Sequence, residues 1–339
     1  MKRLRRSRTI CFNQNIAGRE KGGIHVRVTV QQAAKRLLSQ DHILILSHKS
    51  PDGDTLGSAY ALLYALRACG KEAHVLCSDP VPPQFAYLVD EEPTASFEPS
   101  FITAVDVASR ELLGSALSDY AVRVDLCIDH HRTNGDYAKE TLVDDKAAAT
   151  CEILYAVIAA MGASFTARIA SCLYTGIATD SGCFKYPNST AHTHRIAAEL
   201  IEAGADYARI NRELFDTKSK ARVAIEKQVL DTLSFAEDGQ IAWVCITQEM
   251  LRETGARESE LDGLAALPRM IEGVEIGITL REQQNGSYKV SVRTAQKADA
   301  SAICAEFGGG GHLRAAGCRF TCPYEEALEK LLSAAKRAL

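Results

Sequence analysis

From Val28 onward the apolar residues fall into two alternating rhythms, short uninterrupted runs and longer stretches spaced for a helix. His42-Ile-Leu-Ile-Leu-Ser47 is the clearest of the short runs. Turn residues bound it and it has no polar alternation, which reads as a strand buried on both faces. Glu72 to Leu76, Phe101 to Asp106 and Val122 to Asp129 are further strand candidates. Between and after them, Gln31 to Ser39, Gly57 to Cys69, Ala147 to Met161 and Thr166 to Thr179 carry closely spaced apolar residues without proline. The second of these stops at Gly70, as a helix closed by a C-terminal glycine does. Strands alternating with helices predict a parallel sheet covered on both faces, a doubly wound α/β domain.

The pattern changes after Asp206. Residues 206–238 are helical in character, rich in charge and free of proline, and read as a linker. Beyond them, Val274 to Arg281 and Ser287 to Thr294 look like antiparallel strands around Gln284-Asn285-Gly286-Ser287, and Asn-Gly is a strong hairpin signal. The run Gly308-Gly-Gly-Gly311-His312 follows, then a helix from Tyr324. The expected organisation is a basic, disordered extension at 1–27, the doubly wound domain at 28–205, the helical linker at 206–238 and a smaller mixed α/β domain at 239–339. A length of 339 residues suits two domains. No apolar run approaches the roughly 20 residues that span a bilayer, so a soluble protein is expected.

Charge sharpens this picture. The formal net charge is -4, but the first 27 residues contain eight Lys or Arg and one Glu, which leaves 31 basic and 42 acidic side chains, or -11, in the body. So acidic a body lacks the broad basic face that long duplex nucleic acid requires, and any nucleotide it holds should be short and gripped locally. The basic segment has no apolar run of the kind an export signal needs. The 11 cysteines include no Cys-x-x-Cys pair, and an odd number cannot all pair within one chain. Buried, reduced thiols in the cytoplasm are expected, with no zinc site at Cys318 and Cys322.

In a parallel α/β sheet, ligands gather beyond the carboxyl ends of the strands. Four such places here are acidic or carry histidine: His48-Lys-Ser-Pro-Asp52-Gly-Asp54, Asp106, Asp129-His130-His131, and Asp180-Ser181-Gly182 at the end of a helix. Any one alone reads equally well as a turn or a helix cap, and Asp54 stands just before a helix. Together they offer mixed imidazole and carboxylate donors, the set that suits manganese, iron or zinc. Two such ions sharing carboxylates are a recurring solution for phosphoryl hydrolysis.

These four ordered motifs resemble those of the DHH phosphoesterases, named for the third motif. Gly308-Gly-Gly-Gly-His312-Leu-Arg-Ala-Ala-Gly317 resembles the signature of the C-terminal domain found in the RecJ-like and nanoRNase branch. The resemblance runs from about Val28 to the C-terminus. It implies that His48, Asp52 and Asp106 hold one metal and that Asp54, Asp106, His130 and Asp180 hold the other, with Asp106 bridging. It also implies that His131 stabilises charge on the phosphate and that Asp129 orients the motif. The ions expected are two Mn2+, with Mg2+ or Co2+ as substitutes.

In the second domain the resemblance implies substrate contacts at Arg293, Gly309, Gly310, Gly311 and His312. The physical reading agrees, since backbone N–H groups unshielded by a Cβ and charge-assisted donors suit an anion. The strand motif reads Ser291-Val-Arg293-Thr294, where the family pattern ends in Ser; Thr keeps the hydroxyl. Lys185 is a weaker candidate for facing the substrate. His25, His42, His74, His192 and His194 are assigned no chemistry.

The implied activity is hydrolysis of short oligoribonucleotides and of 3'-phosphoadenosine 5'-phosphate by two-metal hydroxide attack. A cyclic or linear di-AMP phosphodiesterase is the alternative, and a non-catalytic nucleotide-binding protein the reading from another class. Partners would be short RNA and small nucleotide phosphates, without long duplex or membrane and with room for a homo-oligomer.

Overall fold

The computed structural model describes residues 25–89, 98–261 and 263–339. The chain divides into two compact units, Met1–Thr217 and Lys218–Leu339. The first contains, in chain order, β1 (Val26–Arg27), α1 (Val30–Leu38), β2 (Ile43–Leu46), α2 (Gly53–Ala68), β3 (Ala73–Leu76), β4 (Phe101–Val105), α3 (Ser118–Ala121) and β5 (Leu126–Asp129). It continues with β6 (Glu140–Val143), α4 (Thr150–Ala160), α5 (Ala167–Asp180), α6 (Ala191–Glu202) and α7 (Tyr207–Asn211).

The six strands are all parallel, in the order β1-β6-β5-β4-β2-β3. β2 shows why its sequence is apolar at every position. Ile43 and Ile45 turn into a core built with α1, α2, α4 and α5, while Leu44 and Leu46 turn into a second core with Leu113, Leu117 and Ala121. Both faces are covered, so no position along the strand is left for a polar residue. From β2 the chain steps one way to β3 and then crosses to the other side for β4. The strand order therefore reverses between β2 and β4, which places the crevice for a ligand at their carboxyl ends.

α2 is buried over almost its whole length, from Gly53 to Leu66. It runs close against α5, and Gly57 permits this: a Cβ there would lie 2.4 Å from the carbonyl oxygen of Cys172.

Three sequence expectations change. The strand read from Val122 begins only at Leu126, because α3 and a turn closed by Arg123 N–H donating to the Tyr120 carbonyl occupy the preceding residues. The basic segment ends in an edge strand: Val26 N–H donates to Lys139 O at 3.0 Å and Val28 N–H to Thr141 O at 2.9 Å. Residues 1–24, where disorder was expected, lie outside the described residues. The helical stretch at 206–238 is divided between the units, because each part has apolar side chains that bury locally. Ile210 of α7 joins the first unit's core, whereas Ile225 and Val229 of α8 (Lys220–Asp231) pack against Val244 and Ile246 of the second.

After α8 the second unit contains β7 (Ser234–Ala236), β8 (Ile241–Ile246), α9 (Gln248–Thr254), β9 (Ile276–Glu282), β10 (Tyr288–Thr294), α10 (Ala300–Ala305), β11 (Gly310–His312), β12 (Ala315–Phe320) and α11 (Tyr324–Ala338). Its sheet is mixed, in the order β11-β12-β10-β9-β8-β7, with only β8 and β9 parallel. β9 and β10 form the expected hairpin, and Gly286 takes the positive φ of 76° that its turn requires. Alternate residues of β9, β10 and β12, such as Ile278, Val292 and Ala316, face a core with α10 and α11. Among the described residues no helix is long and apolar enough to cross a membrane.

Candidate metal centre

The carboxyl ends of β2, β4 and β5 and the end of α5 bring His48, Asp106, His130 and Asp180 together. The turn into α2 adds Asp52 and Asp54. Asp106 follows β4 in the left-handed region, at φ 60°, a conformation that costs a non-glycine residue energy. It leaves the carboxylate buried at 2% exposure, with Oδ1 accepting from Thr150 Oγ1 at 2.9 Å.

Asp52 is the N-cap of α2, accepting from the N–H groups of Asp54 and Thr55 at 3.0 and 3.1 Å. The capping role weighed for Asp54 therefore belongs to Asp52. Asp54 caps a different helix. The N-cap residue of α4, Ala149, has no side chain for the purpose, and Asp54 supplies the acceptors from outside. It takes Thr150 N–H on Oδ2 at 2.7 Å and Cys151 N–H on Oδ1 at 3.0 Å. Two orphan donors of a helix start thus hold a fully buried carboxylate in place.

Three sets of ligand atoms each lie within 4.8 Å of one another: His48, Asp52 and Asp106; Asp54, His130 and Asp180; and Asp106, His130 and His131. His48 Nδ1 donates to the Lys49 carbonyl at 2.8 Å, so Nε2 is the nitrogen turned to the carboxylates, 3.6 Å from both Asp52 and Asp106. His130 Nδ1 faces the Ala147 carbonyl at 3.3 Å, and its Nε2 lies 3.2 Å from Asp180, 3.7 Å from Asp106 and 3.9 Å from Asp54. Backbone carbonyls fix both rings in the tautomer that presents Nε2 as a ligand.

The charges are concentrated. Burial, with Asp106 and Asp180 adding to it, pushes the Asp54 pKa well above the ordinary carboxylate range. Burial also raises Asp180, helped by Asp106 and Asp52 against the opposing pull of His130. For His48 burial works against the charged ring, but Asp106 and Asp52 outweigh it and lift its pKa to about 11. Burial likewise opposes the His130 imidazolium, which Asp180, Asp54 and Asp106 nevertheless lift to about 10. Among the described residues, the ion-pair partners of Asp52, Asp54, Asp106 and Asp180 are all histidines. Four carboxylates with no lysine or arginine, two of them almost fully buried, and two oriented imidazole nitrogens form a donor set that fits divalent cations.

His131 is placed differently. Its side chain is 41% exposed, and Nδ1 lies 2.7 Å from Asp129 Oδ1 and 3.6 Å from Asp106. Asp129 raises the His131 pKa, and Asn134 secures the other Asp129 oxygen at 2.6 Å. Burial opposes ionisation of Asp129, yet His131 and Asn134 hold its pKa below the usual value.

Sequence reasoning missed Thr150, Asn134 and Gly176. Gly176 of α5 is required by space: a Cβ there would stand 2.3 Å from Cys151 Sγ and 2.6 Å from Asp54 Oδ1. An unremarkable glycine inside a helix was the available signal, since it costs helix stability unless something needs the room.

In the second unit, Arg293, Ala315 and His312 form one cross-strand row through β10, β12 and β11. Within the glycine run, Gly310 and Gly311 belong to β11. Of the three candidate contacts, a Cβ on Gly309 would meet Gly317 O at 2.2 Å and one on Gly311 would meet Ala315 O at 2.5 Å, while Gly310, like the preceding Gly308, faces open space. Close strand approach explains two of the three glycines, and His312 is left exposed beside them. Lys185 is exposed, five residues beyond Asp180.

A parallel α/β unit with carboxylates and imidazoles gathered at its switch point defines an α/β protein whose residues could hold divalent cations. Sequence comparison makes the assignment specific. Residues 42–177 match the DHH family N-terminal domain and residues 240–339 the DHHA1 domain. The bifunctional oligoribonuclease and PAP phosphatase NrnA of Thermus thermophilus is 32% identical over 305 residues, covering 88% of this chain and 90% of that protein. The chain belongs to the DHH family. A probable manganese-dependent inorganic pyrophosphatase of Enterococcus faecalis is 26% identical, over 66% of this chain and 77% of its own length. Among solved structures, an exopolyphosphatase-related protein of Bacteroides fragilis superposes with a TM-score of 0.80 at 26% identity, covering 91% of this chain and 96% of that one.

Proposed function

We propose that this chain is a manganese-dependent phosphoesterase that hydrolyses short oligoribonucleotides and 3'-phosphoadenosine 5'-phosphate in the cytoplasm. The observation that carries this reading is the convergence of six ligand residues from four separated segments, in a chain 32% identical to an oligoribonuclease and PAP phosphatase. His48, Asp52 and Asp106 would hold one ion, and Asp54, Asp106, His130 and Asp180 the other. Bound ions of this kind polarise phosphoryl oxygens and acidify water near neutral pH. Manganese is favoured by the mixed nitrogen and oxygen donors and by the name of the Enterococcus relative.

The chain's own residues supply orientation and charge. Asp54 is held by the α4 amides and Asp106 by Thr150, so neither carboxylate needs to reorganise. His131 acts on the substrate. Nδ1 is engaged by Asp129, which raises the pKa and favours the charged ring, and Nε2 is the atom placed to donate to a phosphoryl oxygen as charge develops there. Arg293 and His312 of the second unit supply charge-assisted donors for a phosphate. The residual charge of -11 disfavours gripping long RNA over a broad surface and leaves phosphate contacts to local cationic groups.

The test is a panel of short RNAs, 3'-phosphoadenosine 5'-phosphate, cyclic di-AMP, linear di-AMP and pyrophosphate, each with manganese. The reading expects kcat/KM to be highest for di- to tetranucleotides and 3'-phosphoadenosine 5'-phosphate. Faster turnover of pyrophosphate or cyclic di-AMP than of every RNA would overturn it.

A further inference from the structure

The second unit's sheet has two unlike faces. Val290, Val292, Ala316 and Cys318 point into the core with α10 and α11. On the opposite face, Val244 and Ile246 of β8 pack under Ile225, Val229, Leu261 and Leu264. Among the described residues that cluster includes none from β12 or β11. The residues of these strands that alternate with the core positions therefore line an open, polar surface.

Strand register orders that surface into rows. One is the row of Arg293, Ala315 and His312. Four residues back along β10, Lys289 is paired with Arg281 of β9 on one side and with Arg319 of β12 on the other. Three cations thus stand side by side on adjacent strands. Directly opposed like charges destabilise a sheet. Arg281 is offset by an ion pair with Glu258, but among the described residues Lys289 and Arg319 have no such partner and both are exposed. Between the two rows the middle positions are Ser291 and Gly317, so little side chain rises between them. A cavity of about 240 Å³ adjoins this surface on the β9 side, where Arg281, Lys289, Ser291 and Arg293 face Leu261, Gly263 and Ala265. Uncompensated repulsion beside a cavity is the local conflict that a sequence retains where a ligand relieves it.

We propose that Lys289 and Arg319 form a second phosphate subsite, holding a further phosphodiester group of the same nucleotide chain whose nearer phosphate engages Arg293 and His312. Four residues of β strand separate the rows by roughly 13 Å. The site rests on the short-RNA reading, which it deepens: this face counts phosphates, and a trinucleotide reaches the second row where a dinucleotide does not. Arg281, held by Glu258, is a fixed wall of the subsite.

The test measures binding of 5'-phosphorylated adenosine di- and trinucleotides with phosphorothioate linkages to the full chain, with the ions it retains on purification. Wild type should bind the trinucleotide about tenfold more tightly. Lys289→Gln with Arg319→Gln should bring that ratio near one, and should lower the salt dependence of trinucleotide binding by about 0.7 in log-log slope for each phosphate no longer neutralised. Lys289→Arg should keep the ratio. Equal affinities in wild type, or a ratio that survives the double substitution, would overturn the subsite. A fall in thermal stability of the double variant would also count against it, because removing opposed like charges should leave the sheet at least as stable. A chain that fails to cleave any RNA while keeping the binding ratio would refute the proposed activity and leave the subsite standing.

Discussion

The two units concentrate charge in opposite ways. In the first, Asp54 and Asp106 are fully or almost fully buried, with Asp180 and two imidazoles beside them. In the second, Lys289, Arg319 and His312 stand exposed on a sheet face. Burial amplifies electrostatics and exposure lets solvent and salt screen it. The first arrangement is therefore held rigid by the α4 amides and Thr150 and needs permanent counter-charge, whereas the second tolerates its own repulsion and suits the reversible anion binding proposed for it. Chemistry is assigned to the rigid cluster and measurement of the substrate to the exposed rows.

The severest way to break this contrast is Asp106→Ala, which removes the carboxylate common to both proposed ion sites. Metal content should fall from two ions per chain and kcat should drop by roughly 10³-fold or more, beyond the loss expected for a single transition-state donor. Two retained ions with normal turnover would remove the basis for the centre.

His131→Ala probes the border between the ligands and the groups that act on substrate. A kcat loss of about 10²- to 10³-fold with metal content near two is expected. Atomic emission showing one ion gone would instead make His131 a ligand, as the Asp106, His130 and His131 grouping permits geometrically.

Metal affinity should depend steeply on pH. Without ions, His48 with a pKa of about 11 and His130 of about 10 are both protonated from pH 6 to 8. An ion must displace those protons, so affinity weakens as pH falls and strengthens as it rises, by about tenfold per pH unit for each proton released. Calorimetry in buffers of different ionisation enthalpy counts the protons. An affinity flat across this range would show that the imidazoles do not bind ions.

The smallest effect belongs to the exposed side. Arg293→Ala should raise KM for short RNA by roughly five- to tenfold, as expected for one charge-assisted hydrogen bond, with both ions retained. A share of the loss in kcat would mean that this remote group also helps to position the scissile bond. Unchanged kinetics across RNA length would detach the second unit from substrate selection.

Much of the first unit could be read directly from the chain, because parallel strands buried on both faces and the polar residues at their carboxyl ends are local patterns. His48, Asp106 and His130 needed no tertiary knowledge to be singled out, since a strand followed by a carboxylate or an imidazole is visible in a few residues, and Asp180 stood out at the end of a helix. What tertiary structure alone decided was which group supports which. That Asp54 caps α4, that Thr150 holds Asp106 and that Gly176 makes room for Asp54 depend on segments about 44 to 122 residues apart meeting at one point. The second unit was legible in its hairpin, fixed by Asn285 and Gly286, and less so in its glycines. Gly309 and Gly311 signalled anion binding in sequence, whereas packing of β11 on β12 accounts for their missing side chains. The row joining Lys289 to Arg319 could not be seen in the chain at all. Cross-strand neighbours are set by register, and register is chosen by the burial of Val290, Val292 and Cys318 on the opposite face, a decision made only when the sheet assembles.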